Sequence, residues 1–255
     1  MTFSNVETPY GSQGDTTVSP AGPLKHKSDI VHRRVNVRSY PELLSDDPAW
    51  PELAALAAGA VGRVVVLPQT AEAARACLEG LQVTTRSPLG AIAHETGGMF
   101  VDRGWVRVLG SGHPLLSRTL GGWNHHLGIP VAQLLIVADD VIGGVFAVNG
   151  GALGPAPGNV YYFAPDSLGW SDIGCGYGAW LRWVFTGDLA KFYEGSRWPG
   201  WETEVAECGG DRAFTLYPPP WTVQGQDLAK VSRRPAPADQ VWRYQLETLR
   251  QLGRR

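Results

Sequence analysis

The chain has 255 residues, 44% of them hydrophobic and 18% charged, which is globular composition with enough apolar material for one large domain or two small ones. A net charge of −2 removes any strong electrostatic case for nucleic acid or for an anionic membrane, and no run of about 18 apolar residues predicts a membrane span. The N-terminus is polar and carries no apolar signal segment, which argues against Sec-type export. Three separated cysteines, Cys77, Cys175 and Cys208, form no C-x-x-C pair and read as reduced thiols in a cytoplasm.

Residues 1–37 are rich in Gly, Ser, Thr, Pro and charge and lack apolar periodicity, so they predict a flexible arm. The folded part, residues 38–255, then reads as a single α+β domain. Ser39 and Glu42 have capping-box spacing, and Asp47-Pro48 repeats a start signal for a helix continuing to about Ala60. Residues 64–67, ended by Pro68, predict a buried strand. Thr70 caps a helix through Leu81. Residues 90–93, 99–102 and 105–109 are short runs between turn signals and predict a meander. Residues 112–129 read as a long surface loop.

Residues 131–138, 144–149 and 159–164 predict three strands, joined by the Asp139-Asp140 and Gly143-Gly144 turn and by a loop over 150–158. From Tyr177 the apolar period becomes helical, through Trp180, Leu181, Val184 and Phe185. Gly187-Asp188 breaks that helix, residues 189–193 add a short one, and Pro199 opens another to Glu207. Residues 217–221 read as an extended, polyproline-like connector. Residues 235–252 predict a terminal helix packing through Val241, Tyr244, Leu246 and Leu249. Most of the ten tryptophans read as core.

No complete catalytic or cofactor motif appears. The glycines at Gly150, Gly151 and Gly154 follow a strand but open no helix, so they read as a strand-to-strand loop and not a phosphate cradle. Ser111 lacks the preceding glycine of a nucleophile elbow, and His113 stands only two residues away. His94-Glu95 lacks the second histidine of a zinc helix, and His125-His126 lacks nearby partners. Asp139-Asp140 reads as a turn cap. The acidic and aromatic set of Tyr161, Tyr162, Asp166, Trp170 and Asp172 offers a binding surface, with Tyr161 and Phe163 on one strand face and Tyr162 on the other.

The run from Ala138 through Asp139, Asp140 and Gly143-Gly144 to Ala147, followed by residues 158–166, Trp170 and the Trp180-Leu181 helix, resembles the SUKH superfamily over about residues 134–193. Over roughly residues 39–253 the chain also resembles an uncharacterised bacterial domain-of-unknown-function family, through residues 81–113 and 192–201. The SUKH resemblance implies an α+β fold, an antiparallel sheet with flanking helices. It also implies a non-catalytic cytoplasmic protein-binding role of the immunity type, in which a toxin is the partner. It implies no catalytic residue, and the missing motifs give no cofactor and no metal. The binding residues expected on this reading are Asp139, Asp140, Tyr161, Asp166, Trp170 and Trp198. The alternative is a small-molecule binder or enzyme built on the His94, Ser111 and His113 region, with Glu95, Asp102 and Arg107 nearby.

Overall fold

The computed structural model describes residues 37–60, 63–130 and 132–253. The N-terminal arm expected over 1–37 therefore lies outside the described residues apart from Val37, as does Val131 at the start of a predicted strand. Glu42 accepts hydrogen bonds from both the backbone N–H and the hydroxyl of Ser39, which starts α1 (Tyr40–Leu43) where the capping-box spacing places it. α2 (Trp50–Gly59) follows, with Pro51 in its first turn. The Thr70 hydroxyl accepts from Ala73 N at 3.2 Å and starts α3 (Ala71–Leu81).

The main sheet contains β1 (Val64–Leu67), β2 (Gly98–Val101), β3 (Val106–Leu109), β4 (Leu134–Asp140), β5 (Val145–Asn149), β6 (Asn159–Ala164) and β7 (Gly169–Gly176). The strands lie in chain order, each antiparallel to the next. The fold is α+β. Helices α6 (Tyr177–Thr186), α7 (Leu189–Phe192) and α8 (Trp201–Cys208) follow, then a second sheet of β8 (Arg212–Tyr217) and β9 (Ser232–Pro237), and finally α9 (Ala238–Gln251).

Several expectations change. Residues 90–93 belong to a helix, α4 (Pro88–Glu95), because the Ser87 hydroxyl accepts from Gly90 N at 3.0 Å and Pro88 takes the first helical position. The expected surface loop over 112–129 contains α5 (Leu120–His126), capped by Thr119 in the same way. β1 is the edge of the sheet, so Val65 is 54% exposed and not buried as its apolar run suggested. Tyr217 closes β8, and the prolines after it bend into a turn in which Thr222 N donates to Pro219 O. Pro235 and Pro237 lie in β9, so the terminal helix begins at Ala238; it buries Val241, Trp242 and Gln245 while Tyr244 stays half exposed.

Strand alternation sorts the side chains of the sheet. Phe146 pairs across to Tyr162 and on to Ser171, and Phe146 packs against Trp180 of α6 with ring centroids 5.1 Å apart. On the other face Val145 pairs to Phe163 and Trp170, and Phe163 packs edge-on against Trp242 of α9 at 5.0 Å. Trp105, Trp180 and Trp198 are among the largest fully buried side chains. A bulge in β4 between Ile136 and Ala138 is clamped by Asn124 of α5, whose side-chain amide both donates to and accepts from the Ile136 backbone.

Candidate functional site

β4 ends on Asp139 and Asp140, whose carboxylates go to separate networks because consecutive strand residues face opposite sides. Asp139 stands directly across from Arg107 on β3 and accepts from its Nε at 2.7 Å. Its other oxygen accepts from Arg118 Nη1. Arg118 then reaches Asp211 and donates to Gly210 O at 2.6 Å, while Arg107 Nη2 donates to Arg212 O at 3.0 Å. Burial works against charge on Arg118, yet the Asp139 and Asp211 carboxylates hold its pKa above the ordinary value. These bonds tie β3 and β4 to the turn that leads into β8.

Asp140 is fully buried. One oxygen accepts from Ile142 N at 3.1 Å and Gly144 N at 2.7 Å; the other accepts from the hydroxyls of Tyr162, at 2.7 Å, and Tyr193, at 3.0 Å. Burial pushes the Asp140 carboxyl above the usual aspartate range even though the Tyr162, Gly144 and Tyr193 hydrogen bonds and the Arg107 charge pull it down. Both tyrosine hydroxyls are raised in turn, by burial first and then by the Asp140 charge, so neither supplies a phenolate nucleophile at neutral pH.

The rings of Tyr162 and Tyr193 form part of the wall of an open cleft of about 620 Å³. Tyr162, Ser171 and Ile173 come from one face of β6 and β7; Asp166 comes from the turn between them; Phe192 to Ser196 follow from α7; Pro220 and Leu228 close the far side. Among its lining residues the charged side chains are Asp166 and Glu194, both exposed and in no ion pair among the described residues. The cleft therefore combines an aromatic wall with two unpaired carboxylates. Such a surface has the chemistry to attract cations and to contact their apolar stems.

The family model "Protein of unknown function DUF2625" matches residues 42–241. The chain belongs to the DUF2625 family. Among relatives, a "Putative uncharacterized protein YbfG" of Escherichia coli (strain K12) is 39% identical over 203 residues, covering 80% of this chain and 93% of that protein. An "Uncharacterized protein" of Haemophilus influenzae (strain ATCC 51907 / DSM 11121 / KW20 / Rd) is 37% identical over 174 residues, covering 67% of this chain and 76% of that one. No solved structure matches the chain. The DUF2625 match contains the whole cleft, from Ile142 to Leu228.

The DUF2625 fold does not bring the six expected binding residues to one face. Asp139, Asp140, Tyr161 and Trp198 are interior side chains. Tyr161 packs beneath the 150–158 loop, with Gly154 beside its hydroxyl. Trp198 packs at a tilt against Trp105 and edge-on against Phe214, lies under the Arg233 guanidinium and donates to Glu204. Trp170 is partly buried against Phe163 and Trp242, on the sheet face opposite Tyr162. Asp166 alone of the six lines the cleft. Its companion Glu194, in the short turn after α7, carried no sequence signal beyond a charge beside Tyr193 and Gly195.

The alternative set also separates. His94 bonds Tyr40 and Glu95, Asp102 pairs with Arg197, Arg107 serves Asp139, and His113 Nδ1 accepts from Leu115 N. Ser111 donates to Thr96 O at 2.9 Å and borders a separate apolar cavity of about 640 Å³ between α3 and α5, with Cys77 and His125. Burial lifts the Cys77 thiol to about 11, so it is protonated at neutral pH. Among the described residues no three His, Cys, Asp or Glu side chains gather as a metal site, and no helix is long and apolar enough to cross a membrane.

Proposed function

We propose that this DUF2625 protein is a non-catalytic binding module whose cleft receives a basic segment of a protein partner. The observation that carries this reading is the charge of the cleft: Asp166 and Glu194 are exposed, and among the described residues neither has an ion-pair partner and no Lys or Arg shares the lining. A Lys or Arg of the partner enters between the carboxylates and lays its stem on the partly exposed Tyr162 and Phe192 rings. The acids speed and orient the encounter, while the aromatic wall supplies most of the affinity. The SUKH resemblance gives the biological form of this proposal: immunity-type occlusion of a toxin in the cytoplasm. Affinity capture from the native host with the wild type and with the Asp166→Asn/Glu194→Gln double variant tests it. A stoichiometric partner retained by the wild type and lost by the variant is expected. Equal retention by both overturns the cleft as the binding site.

The apolar cavity beside Ser111 favours a second reading, a small apolar ligand held between α3 and α5. Mass spectrometry of the purified, denatured protein checks it. A bound compound released by wild type and by the double variant alike moves the function to that cavity.

A further inference from the structure

On another part of the DUF2625 domain, five charged side chains surround an open polar pocket of about 440 Å³: Arg63, Asp102, Arg103, Asp188 and Arg197. They reach it from four separate segments. Arg63 precedes β1, and its carbonyl accepts from Asp102 N at 2.7 Å, which sets it beside the β2–β3 turn. In that turn both Asp102 and Arg103 adopt left-handed backbone, with φ of 52° and 59°, closed by Gly104 N donating to Val101 O. Arg197 follows α7 and lies over the rings of Trp201, at 4.7 Å, and Trp105, at 5.1 Å.

The protein uses only part of the donor capacity of these guanidinium groups. Arg63 Nη2 donates to Gly187 O at 2.6 Å, and Arg197 Nη2 pairs with Asp102. The Nε of Arg63 and the Nε of Arg197 are both buried and have no acceptor among the described protein atoms. Arg103 is exposed and has no hydrogen-bond or ion-pair partner among the described residues. A buried N–H without an acceptor costs about 1–3 kcal/mol, and two of them belong to guanidinium groups that line this one pocket. The two carboxylates leave this balance positive: Asp102 is committed to Arg197, and one Asp188 oxygen accepts from Lys191 N at 2.9 Å, so three arginines face two aspartates.

We infer that the pocket of Arg63, Arg103 and Arg197 binds a small oxyanion, a phosphate or carboxylate group. Planar guanidinium forks match both geometries, and the Trp stacking holds Arg197 in place before the ligand arrives. This site is separate from the acidic cleft and takes the opposite charge, so its failure leaves the cleft reading standing.

The test is a titration of the full chain with inorganic phosphate, and separately with acetate, against sodium chloride of equal ionic strength. Trp fluorescence and thermal midpoint are the readouts, since Arg197 stacks on two tryptophans. A saturable response to phosphate or acetate that chloride does not give is expected, with binding at least about ten-fold weaker in Arg103→Gln. Arg103 is exposed and makes no hydrogen bond or ion pair among the described residues, so this variant should keep the wild-type midpoint without anion. A response to phosphate alone assigns a phosphate ligand; a response to acetate at similar concentration assigns a carboxylate. A response that chloride reproduces, no saturable response, or undiminished binding by Arg103→Gln overturns the inference.

Discussion

Asp139 and Asp140 at the end of β4, and Asp166 and Glu194 around the cleft, are the same chemical group in opposite surroundings. The first pair is buried, and among the described residues its oxygens are taken by two guanidinium groups, two tyrosine hydroxyls and two backbone N–H groups. The second pair is exposed and has no ion-pair partner among the described residues. A buried carboxylate with all its donors in place fixes a fold, whereas an exposed one without a partner is available to another molecule. In this protein the more conspicuous acidic motif in the sequence is the structural one.

The largest expected effect tests the buried side of the contrast. Asp139→Ala leaves the Arg107 and Arg118 charges without their shared carboxylate, and urea unfolding should show a loss of about 3–5 kcal/mol. A loss below about 1 kcal/mol would mean that the network is not holding the sheet together. Gly144→Ala comes next. A Cβ there meets Asp140 Oδ2 and Tyr162 Oη well inside contact distance, so overpacking of about 1–3 kcal/mol is expected. Full wild-type stability in that variant would show that the Asp140 pocket yields easily.

Asp140 also makes a prediction in pH. Its carboxyl is raised by burial, so the folded chain keeps this proton at pH values where the unfolded chain, near the ordinary 3.8, has released it. The contribution is present below that ordinary value and is lost as pH rises through the folded value. Wild type should therefore lose stability relative to Asp140→Asn as pH rises from 3.8 toward neutrality. Unfolding free energies of the two proteins measured side by side check this, and a difference that stays constant or grows with pH contradicts it.

The smallest stability effect belongs to the exposed pair. Asp166→Asn with Glu194→Gln should leave the unfolding free energy within about 0.5 kcal/mol of wild type, because no internal bond is removed. The same change should weaken binding of a basic Lys/Arg peptide at low ionic strength, as read by calorimetry. A clear stability loss would show these acids to be structural, which would erase the contrast.

Much of the fold was legible because its signals are local. Ser39 with Glu42, and Thr70 ahead of Ala73, cap their helices where the spacing puts them. The strands over 144–149 and 159–164, and the period change at Tyr177, appear within about a residue. The misses have local causes too. Ser87-Pro88 is a helix start that a short apolar run concealed, and Thr119 caps a helix in a stretch whose glycines suggested a loop. β7 and β9 carry too little period-two contrast, β9 having two prolines in six residues.

The sequence by itself determined that the chain forms an α+β domain with an antiparallel meander, since capping, turn chemistry and apolar period act over a few residues. It also determined that Tyr161 and Tyr162 face opposite sides, which follows from the strand period alone. Only the tertiary structure decided which carboxylates are available. Arg107 lies 32 positions from Asp139, and Tyr193 lies 53 from Asp140, so burial and pairing of these acids depend on contacts that no local pattern encodes. The same holds for Glu194 and Asp166 lining one cleft and for three arginines meeting at one pocket: long-range packing brings them together and sets the charge each surface shows to solvent.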